Sequence, residues 1–412
     1  GGATITVPPA PQKLRIFDIT YTNTTNLVAA FDRNDSAVEN AISTSGGNSS
    51  ESSVGGALDD LLDSTTISGD RKSITDALLN ATNDAEIAEI VAESTPTTNG
   101  MAGEATNNVV QNTAGIISNR SGSLRGARGG SGISTGDVTE GMQMWLRGFG
   151  NYTDQDSRDG VAGFDGDTFG LAAGVDTDRI IPNGRLGVAF TYGRSDIDSD
   201  AANQAQTDID TYQFTLYGDK ELKNDYYVLG SASYAYSDIE EDAVVTGTNV
   251  NSDSDSDTFA FRGEVGRDFF MENNGVVSPS VDAFYSHSST DKFTRGGLDT
   301  IDPDNQEIFT LGVGVDAYWD IENADGSVLR PELNLGYAYD FITDEFSGTG
   351  SYVGRATNFQ LEGAEPDEHI FKIGGGLTYF SSANVDVEAR YDGQFREDLQ
   401  SHTGMVQATY KF

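Results

Sequence analysis

The chain has 412 residues, 65 of them acidic against 25 basic, and no cysteine. A formal charge of -40 excludes nucleic acid as a partner, because phosphate binding needs clustered Lys and Arg. The cysteine count excludes disulfides and thiolate chemistry, and no run of about 18 apolar residues exists to form a transmembrane helix.

In chain order, Gly1-Gly2-Ala3 has neither the basic nor the apolar region of a leader, and Ala3 to Val7 enters mid-pattern, so a fragment whose upstream part is removed is expected. Residues 1–25 read as the remnant of a larger β-structure, with strand patterns at Ala3 to Val7 and Leu14 to Tyr21. Residues 26–104 read as a helical junction, with patches at Ser36 to Ile42, Ala57 to Asp63, Ser73 to Leu79 and Ala85 to Ala92. Between the first two patches, Ser43 to Ser53 has the composition of a flexible Ser/Gly/Asn linker. Over residues 105–125, Val109, Val110, Ile116, Ile117, Arg120 and Leu124 fall at helical spacing, with Thr106 as the expected N-cap. Residues 126–140 form a Gly/Ser-rich connector, short enough to keep that helix at the mouth of whatever follows.

From residue 141 onward the period changes to two. Phe169, Leu171, Ala173 and Val175 alternate with Thr168, Gly170, Ala172, Gly174 and Asp176, and the pattern recurs in Leu186, Val188, Phe190 and Tyr192. It continues to Val406, Ala408, Tyr410 and Phe412, giving about twelve strands. Short connections at 220–225, 271–275, 321–327 and 381–384 contrast with long acidic ones at 154–167, 198–207 and 238–257. Alternating short and long links with an even strand count predict an all-β transmembrane barrel of antiparallel strands over 141–412. A soluble sandwich would also alternate, but its second face would be bulky; here that face is Gly, Ser, Thr, Asp and Arg, as a wet lumen requires. By parity the lumen holds Arg262, Glu264, Asp282, Arg330, Glu332, Lys372, Glu388 and Arg390, which neutralise one another and grip a polar helix. The parity of the first strand, near Gln143 to Tyr152, leaves the direction of Arg147 open.

No nucleophile motif, cofactor site or metal cluster is legible. His287, His369 and His402 are scattered, and the acidic runs Asp196 to Asp200 and Asn251 to Asp257 lack the fixed Gly and Glu of a Ca²⁺ loop, so both groups read as solvated.

A helix ending Asn119-Arg120 with Leu124-Arg125, the strand Trp145-Leu146-Arg147-Gly148-Phe149-Gly150 and the ending Tyr410-Lys411-Phe412 together resemble the translocator of classical autotransporters, the type V secretion family. The resemblance covers roughly residues 105–412. It implies an outer-membrane barrel whose lumen is filled by the linker helix and whose covalently linked upstream passenger is exported to the cell surface. The implied partners are outer-membrane lipid, lipopolysaccharide and the assembly machinery, with Tyr410 and Phe412 as the assembly signal; a closed barrel has no edge to pair, so a monomer is expected. Some members cut the linker between two Asn residues, which makes Asn107-Asn108 a candidate cleavage site. Two other readings stay open: a passive porin, and the anchor of a surface enzyme whose catalytic part lies upstream.

Overall fold

The computed structural model describes residues 15–23, 26–33, 36–63, 67, 69–128, 141–272, 274–381 and 385–411. Twelve long antiparallel strands close into a barrel: Met142–Gln155, Phe164–Thr177, Gly184–Ser199, Gln206–Glu221, Tyr226–Val245, Thr248–Arg267, Gly275–Thr290, Gln306–Trp319, Val328–Thr343, His369–Phe380, Val385–Phe395 and Leu399–Lys411. Each pairs with its sequence neighbour, and the twelfth returns to the first in the register Tyr410 with Met144 and Gln400 with Asp154. Closure leaves no free edge, which is what lets a sheet cross lipid with every backbone group satisfied.

The outer wall is greasy. Phe169, Leu333 and Val406 are 65%, 60% and 61% exposed, and similar side chains face outward on nearly every strand. In water so continuous an apolar surface would drive aggregation; against hydrocarbon it is the stable arrangement. The inner wall is lined by small residues with a few large rings, and the register accommodates them. Trp145 lies directly opposite Gly174, Phe149 opposite Gly170, Tyr217 opposite Gly187 and Tyr227 opposite Gly266. A Cβ on any of these glycines would fall 2.0 to 2.4 Å from the facing ring. These four glycines are therefore space for inward-facing aromatics.

Upstream of the barrel, strands Arg15–Asn23 and Asn26–Arg33 form an antiparallel hairpin. The boundary expected at residue 25 thus falls inside one unit, because the pattern at Asn26 to Arg33 continues as strand. Ala3 to Val7 lies outside the described residues. Four helices follow: α1 (Ala37–Ser45), α2 (Ser49–Leu62), α3 (Asp70–Asn80) and α4 (Asp84–Ser94). The linker expected at Ser43 to Ser53 shrinks to Gly46–Asn48, because Asn48 and Glu51 make a reciprocal capping box that starts α2 inside the Ser-rich stretch. Composition pointed to a loop; the Asn-x-x-Glu spacing overrode it.

Helix α5 (Met101–Arg128) runs down the barrel lumen and is longer at both ends than the 105–125 expected. Its start is set by Asn99, whose Oδ1 accepts from Met101 N at 3.3 Å, so Thr106 is not the cap; it is buried in the helix, its hydroxyl on Ser237. Residues 129–140 lie outside the described residues.

The other ends of the strands carry the second correction. The longest acidic stretch expected as a loop, 238–257, is strand except for its turn, and those at 154–167 and 198–207 shorten to 156–163 and 200–205. Tyr226–Val245 and Thr248–Arg267 rise well above the greasy band and meet in a two-residue turn, Thr246-Gly247, both with positive φ. Along Asn251 to Asp257, Ser252, Ser254 and Ser256 point inward while Asp253, Asp255 and Asp257 point outward. The connections 291–305 and 344–368 contribute a four-stranded sheet, Phe293–Arg295, Asp299–Pro303, Ser347–Tyr352 and Asn358–Glu362. That sheet and α1 to α4 share one hydrophobic core above the barrel mouth, in which Val38, Leu58 and Ile74 meet Leu298, Ile301 and Phe359.

Candidate functional site: the filled lumen

Helix α5 is not centred. Its apolar residues Val109, Ile116 and Ile117 are fully buried against Trp145, Phe149, Tyr217 and Leu229, while Val110 packs on Ala235, Ala260 and Phe284. Near the outer mouth, Met101 and Ala105 pack on Phe164, Ile197 and Ile209. The opposite side of the helix, with Asn108, Gln111, Asn112, Ser118 and Asn119, faces a cavity of about 160 Å³ whose far wall carries Arg262, Glu264, Asp282, Asp316 and Lys372. The helix thus turns its stripe to the small and aromatic side of the lumen and its amides to the charged side.

The inner end of the helix is locked by charge. Arg120 Nε donates to Asp176 Oδ2 at 2.6 Å, and its terminal nitrogens donate to Gln143 Oε1 at 2.9 Å and Thr409 Oγ1 at 3.2 Å. Asp176 also accepts from Arg185 Nε at 2.7 Å and from the Tyr217 hydroxyl at 2.9 Å, and Trp145 Nε1 donates to that hydroxyl at 2.8 Å. Arg120, Asp176 and Arg185 are all nearly inaccessible to solvent. Buried charges need such full pairing, because each uncompensated one costs several kcal/mol. A turn further on, the Arg125 guanidinium lies 3.4 Å over the Tyr227 ring and 3.8 Å from Asp268. Arg330 holds Asp320 through two contacts of 2.6 and 2.9 Å and donates its third nitrogen to Ser123 O at 2.7 Å, satisfying a helix carbonyl near the C-terminus.

The other expected lumen charges meet as well. Arg262 sits 3.7 Å from Glu264 and 3.6 Å from Asp282, and Glu264 accepts from Ser118 of the helix at 2.5 Å and from Tyr227 at 2.9 Å. Arg390 bridges Asp392 and Glu332. Glu388 pairs with Arg147 at 2.6 Å, which resolves the first strand: Arg147 points inward and is fully buried. Lys372 lines the same cavity as Asp282.

Sequence reasoning missed Asp176, Arg185, Asp316 and Asp320 as lumen charges. Asp176 had the right parity but stands at a strand end, where alternation gives way to turn chemistry.

Asn107 and Asn108 lie buried towards the outer mouth. Asn107 donates to Gly103 O and accepts from the Ser286 hydroxyl, and Asn108 donates to Thr153 Oγ1 at 3.1 Å. These partners are neutral. The three histidines sit on the outer half of the wall: His287 meets Glu307, while His369 and His402 meet the Tyr337 and Tyr391 hydroxyls. No cluster of three or more potential metal ligands occurs among the described residues. Tyr410 faces outward, and Phe412 lies outside the described residues.

A twelve-stranded barrel threaded by a helix leading into its first strand can carry a chain from one side of a membrane to the other. A family model described as Autotransporter beta-domain matches residues 144–392, more than half of the chain. The chain belongs to the autotransporter β-domain family. As such it resides in the bacterial outer membrane, where the barrel is the translocator and anchor of a passenger N-terminal to it. Outer membrane protein B of Rickettsia prowazekii is 22% identical over 91% of this chain but only 24% of its own length. An extracellular serine protease of Serratia marcescens is 21% identical over 65% of this chain and 26% of its own. The chain thus spans about a quarter of the curated relatives it matches. Relatives whose names differ so much share this segment, as expected of a common transport unit. Among solved structures, the translocator domain of the autotransporter NalP from Neisseria meningitidis superposes with a TM-score of 0.55, covering 73% of this chain and 98% of that one at 13% identity. That likeness speaks to the fold alone.

Proposed function

We propose that this autotransporter barrel displays its passenger outside and keeps α5 in place, uncut, as a permanent plug. The observation that carries the plug is the lock at the inner end of the helix: Arg120, Asp176 and Arg185 form a buried, fully hydrogen-bonded set that a helix loose in the lumen would leave uncompensated. The remaining lumen charges, Arg262, Glu264, Asp282, Arg330, Glu332, Lys372, Glu388 and Arg390, serve that grip and keep the residual cavity wet. An open porin would need the space that the helix occupies.

The neutral partners of Asn107 and Asn108 favour an intact junction over linker cleavage, so changing both Asn is expected to leave fragment sizes on a gel unaltered. Tyr410 and Phe412 are proposed as the assembly signal, and outer-membrane lipid and lipopolysaccharide as the surroundings of the outer wall. Enzymatic activity, if the whole protein has one, belongs to the passenger.

Labelling tests the orientation. The chain has no cysteine, so single ones can be introduced freely. Ser43→Cys on the exposed side of α1 should react with a membrane-impermeant maleimide on intact cells, and Asn183→Cys in an inner turn only after permeabilisation. The reverse pattern refutes the proposal.

A further inference from the structure

The outer wall treats its cations differently at its two ends. At the outer end, Arg194 lies 3.0 to 3.8 Å from Asp196, Asp208 and Asp210, so its charge is met within the protein. At the inner end, among the described residues, no carboxylate lies within ion-pair distance of Lys220, Lys223 or Arg267, although the exposed Asp225 and Glu272 stand in the same two turns. Arg267 rests on rings instead: its guanidinium carbon lies 5.2 Å from the centre of the Tyr226 ring and 4.7 Å from that of Phe269. We propose that Arg267 is the phosphate seat of one anionic glycerophospholipid of the inner leaflet, with Lys220 and Lys223 on the neighbouring turn making the surroundings favour a net negative headgroup. The leaflet follows from the orientation proposed above; the seat itself does not depend on it.

Depth places this cation at the headgroups. Tyr226 and Tyr236 face outward on one strand, and the chain between them spans roughly 33 Å at the rise of a strand, or roughly 25 Å across the membrane at a tilt of roughly 40°. That is the height of the apolar band of such a barrel, so Tyr226 marks its inner boundary. Arg267 stands directly opposite Tyr226 in the register. Its guanidinium therefore sits where acyl chains give way to phosphates. Towards the middle of the membrane, the exposed Val265 and Phe261 continue the same outward row and offer the chains of that lipid a surface to lie along.

The chemistry of the group matches that position. A guanidinium carries five N–H donors and no acceptor, and among the described residues no acceptor meets those of Arg267. Its Nε is buried without a partner, so binding falls to the terminal nitrogens. Two of a phosphate's oxygens can take parallel bonds from such a fork, which a lysine ammonium cannot offer. Contact with Tyr226 and Phe269 holds the plane of the fork before a lipid arrives, so little side-chain freedom is lost on binding. A free phosphate would gain the same bonds but nothing from Val265 and Phe261, and the apolar row therefore selects a lipid over a bare anion.

Native mass spectrometry of the full chain, released from detergent after titration with phosphatidylglycerol or phosphatidylcholine, provides the test. The parent should hold one phosphatidylglycerol about tenfold more tightly than one phosphatidylcholine, and equal retention of the two refutes the proposal. Arg267→Gln should weaken phosphatidylglycerol binding about fivefold, the weight of one basic residue at a membrane surface. Arg267→Lys, which keeps the charge but not the plane, should also weaken it, whereas Arg194→Gln at the outer end should leave it as it is. Binding unaltered by Arg267→Gln refutes the seat, and displacement of the lipid by millimolar inorganic phosphate reduces it to an anion site and overturns the lipid. Heat-modifiable migration shows that each barrel is folded. Should Arg267→Gln fail that check, Phe269→Leu replaces it: weaker binding is expected, and parental binding again refutes the proposal. A wrong orientation is read separately, because it labels Asn183→Cys on intact cells and leaves lipid binding in detergent unchanged.

Discussion

Replacing Arg120 by Met keeps the bulk of the side chain and removes its charge from the inner lock. In the parent, the guanidinium makes three contacts of 2.6, 2.9 and 3.2 Å, the shortest to Asp176. Breaking a buried pair by removing one partner costs roughly 3–5 kcal/mol, mostly because the other charge is left behind. Here Asp176 keeps Arg185 and the Tyr217 hydroxyl, so the lower end applies, about 3 kcal/mol. The helix should stay docked, since Val109, Ile116 and Ile117 remain buried. Its undocked population should nonetheless rise by about two powers of ten, at roughly 1.4 kcal/mol per tenfold. Recordings in planar lipid bilayers read this directly as the fraction of time spent in a large-conductance state. Asn119→Ala, on the side of the helix that faces the cavity, serves as the control and should change that fraction little. Because the lock is buried, raising the salt should not mimic the variant. An Arg120→Met barrel that opens no more often than the parent would refute the lock.

Three further outcomes follow from the geometry. Arg147→Met and Glu388→Gln should each destabilise the refolded barrel, and the double variant should lose less than their sum, with a coupling of roughly 0.5–3 kcal/mol in urea unfolding; strict additivity would contradict the 2.6 Å pair. Gly174→Ala would put a Cβ 2.4 Å from the Trp145 ring and should cost roughly 1–3 kcal/mol, whereas Gly148→Ala, with nothing within 4 Å, should be nearly neutral. Glu241, above the membrane at the outer mouth, has its carboxyl pushed up by burial, with Arg295 offsetting part of the shift. The folded state therefore holds this proton more tightly than the unfolded chain, so the contribution is favourable at low pH and is lost as pH rises above the ordinary carboxylate range. The helical cap should accordingly unfold at higher temperature at pH 5 than at pH 7.5, and Glu241→Gln should flatten that difference; an unchanged profile in the variant would contradict the assignment.

The barrel was legible because lipid and water impose opposite demands on alternate residues. Phe169, Phe190, Phe214 and Phe261 stand where period two places them, and so do Arg262, Glu264 and Arg330. Alternation carried less information where neither face touches lipid. In Asn251 to Asp257 both faces are polar, so a regular strand was read as a loop, although Ser and Asp alternate strictly along it. Trp145 and Phe149 confused the first strand because there the bulky aromatics point inward, and only the facing glycines, Gly174 and Gly170, reveal it. These are pairings between strands, which no single segment displays. The same holds for Asp176, whose role depends on Arg120 arriving from a helix 56 residues away in sequence. The shared core above the mouth was the least legible part: α1 to α4 could be read as helices, but the sheet that completes their core lies more than 200 residues downstream.

Helix α5 fills a pore which the barrel would otherwise leave open. Conductance of the purified chain and of a variant lacking residues 101–125, each inserted into a planar bilayer, measures it most directly. A nearly closed parent and a stable, open channel after the deletion are expected. Equal conductance in the two would show that the helix does not occupy the lumen.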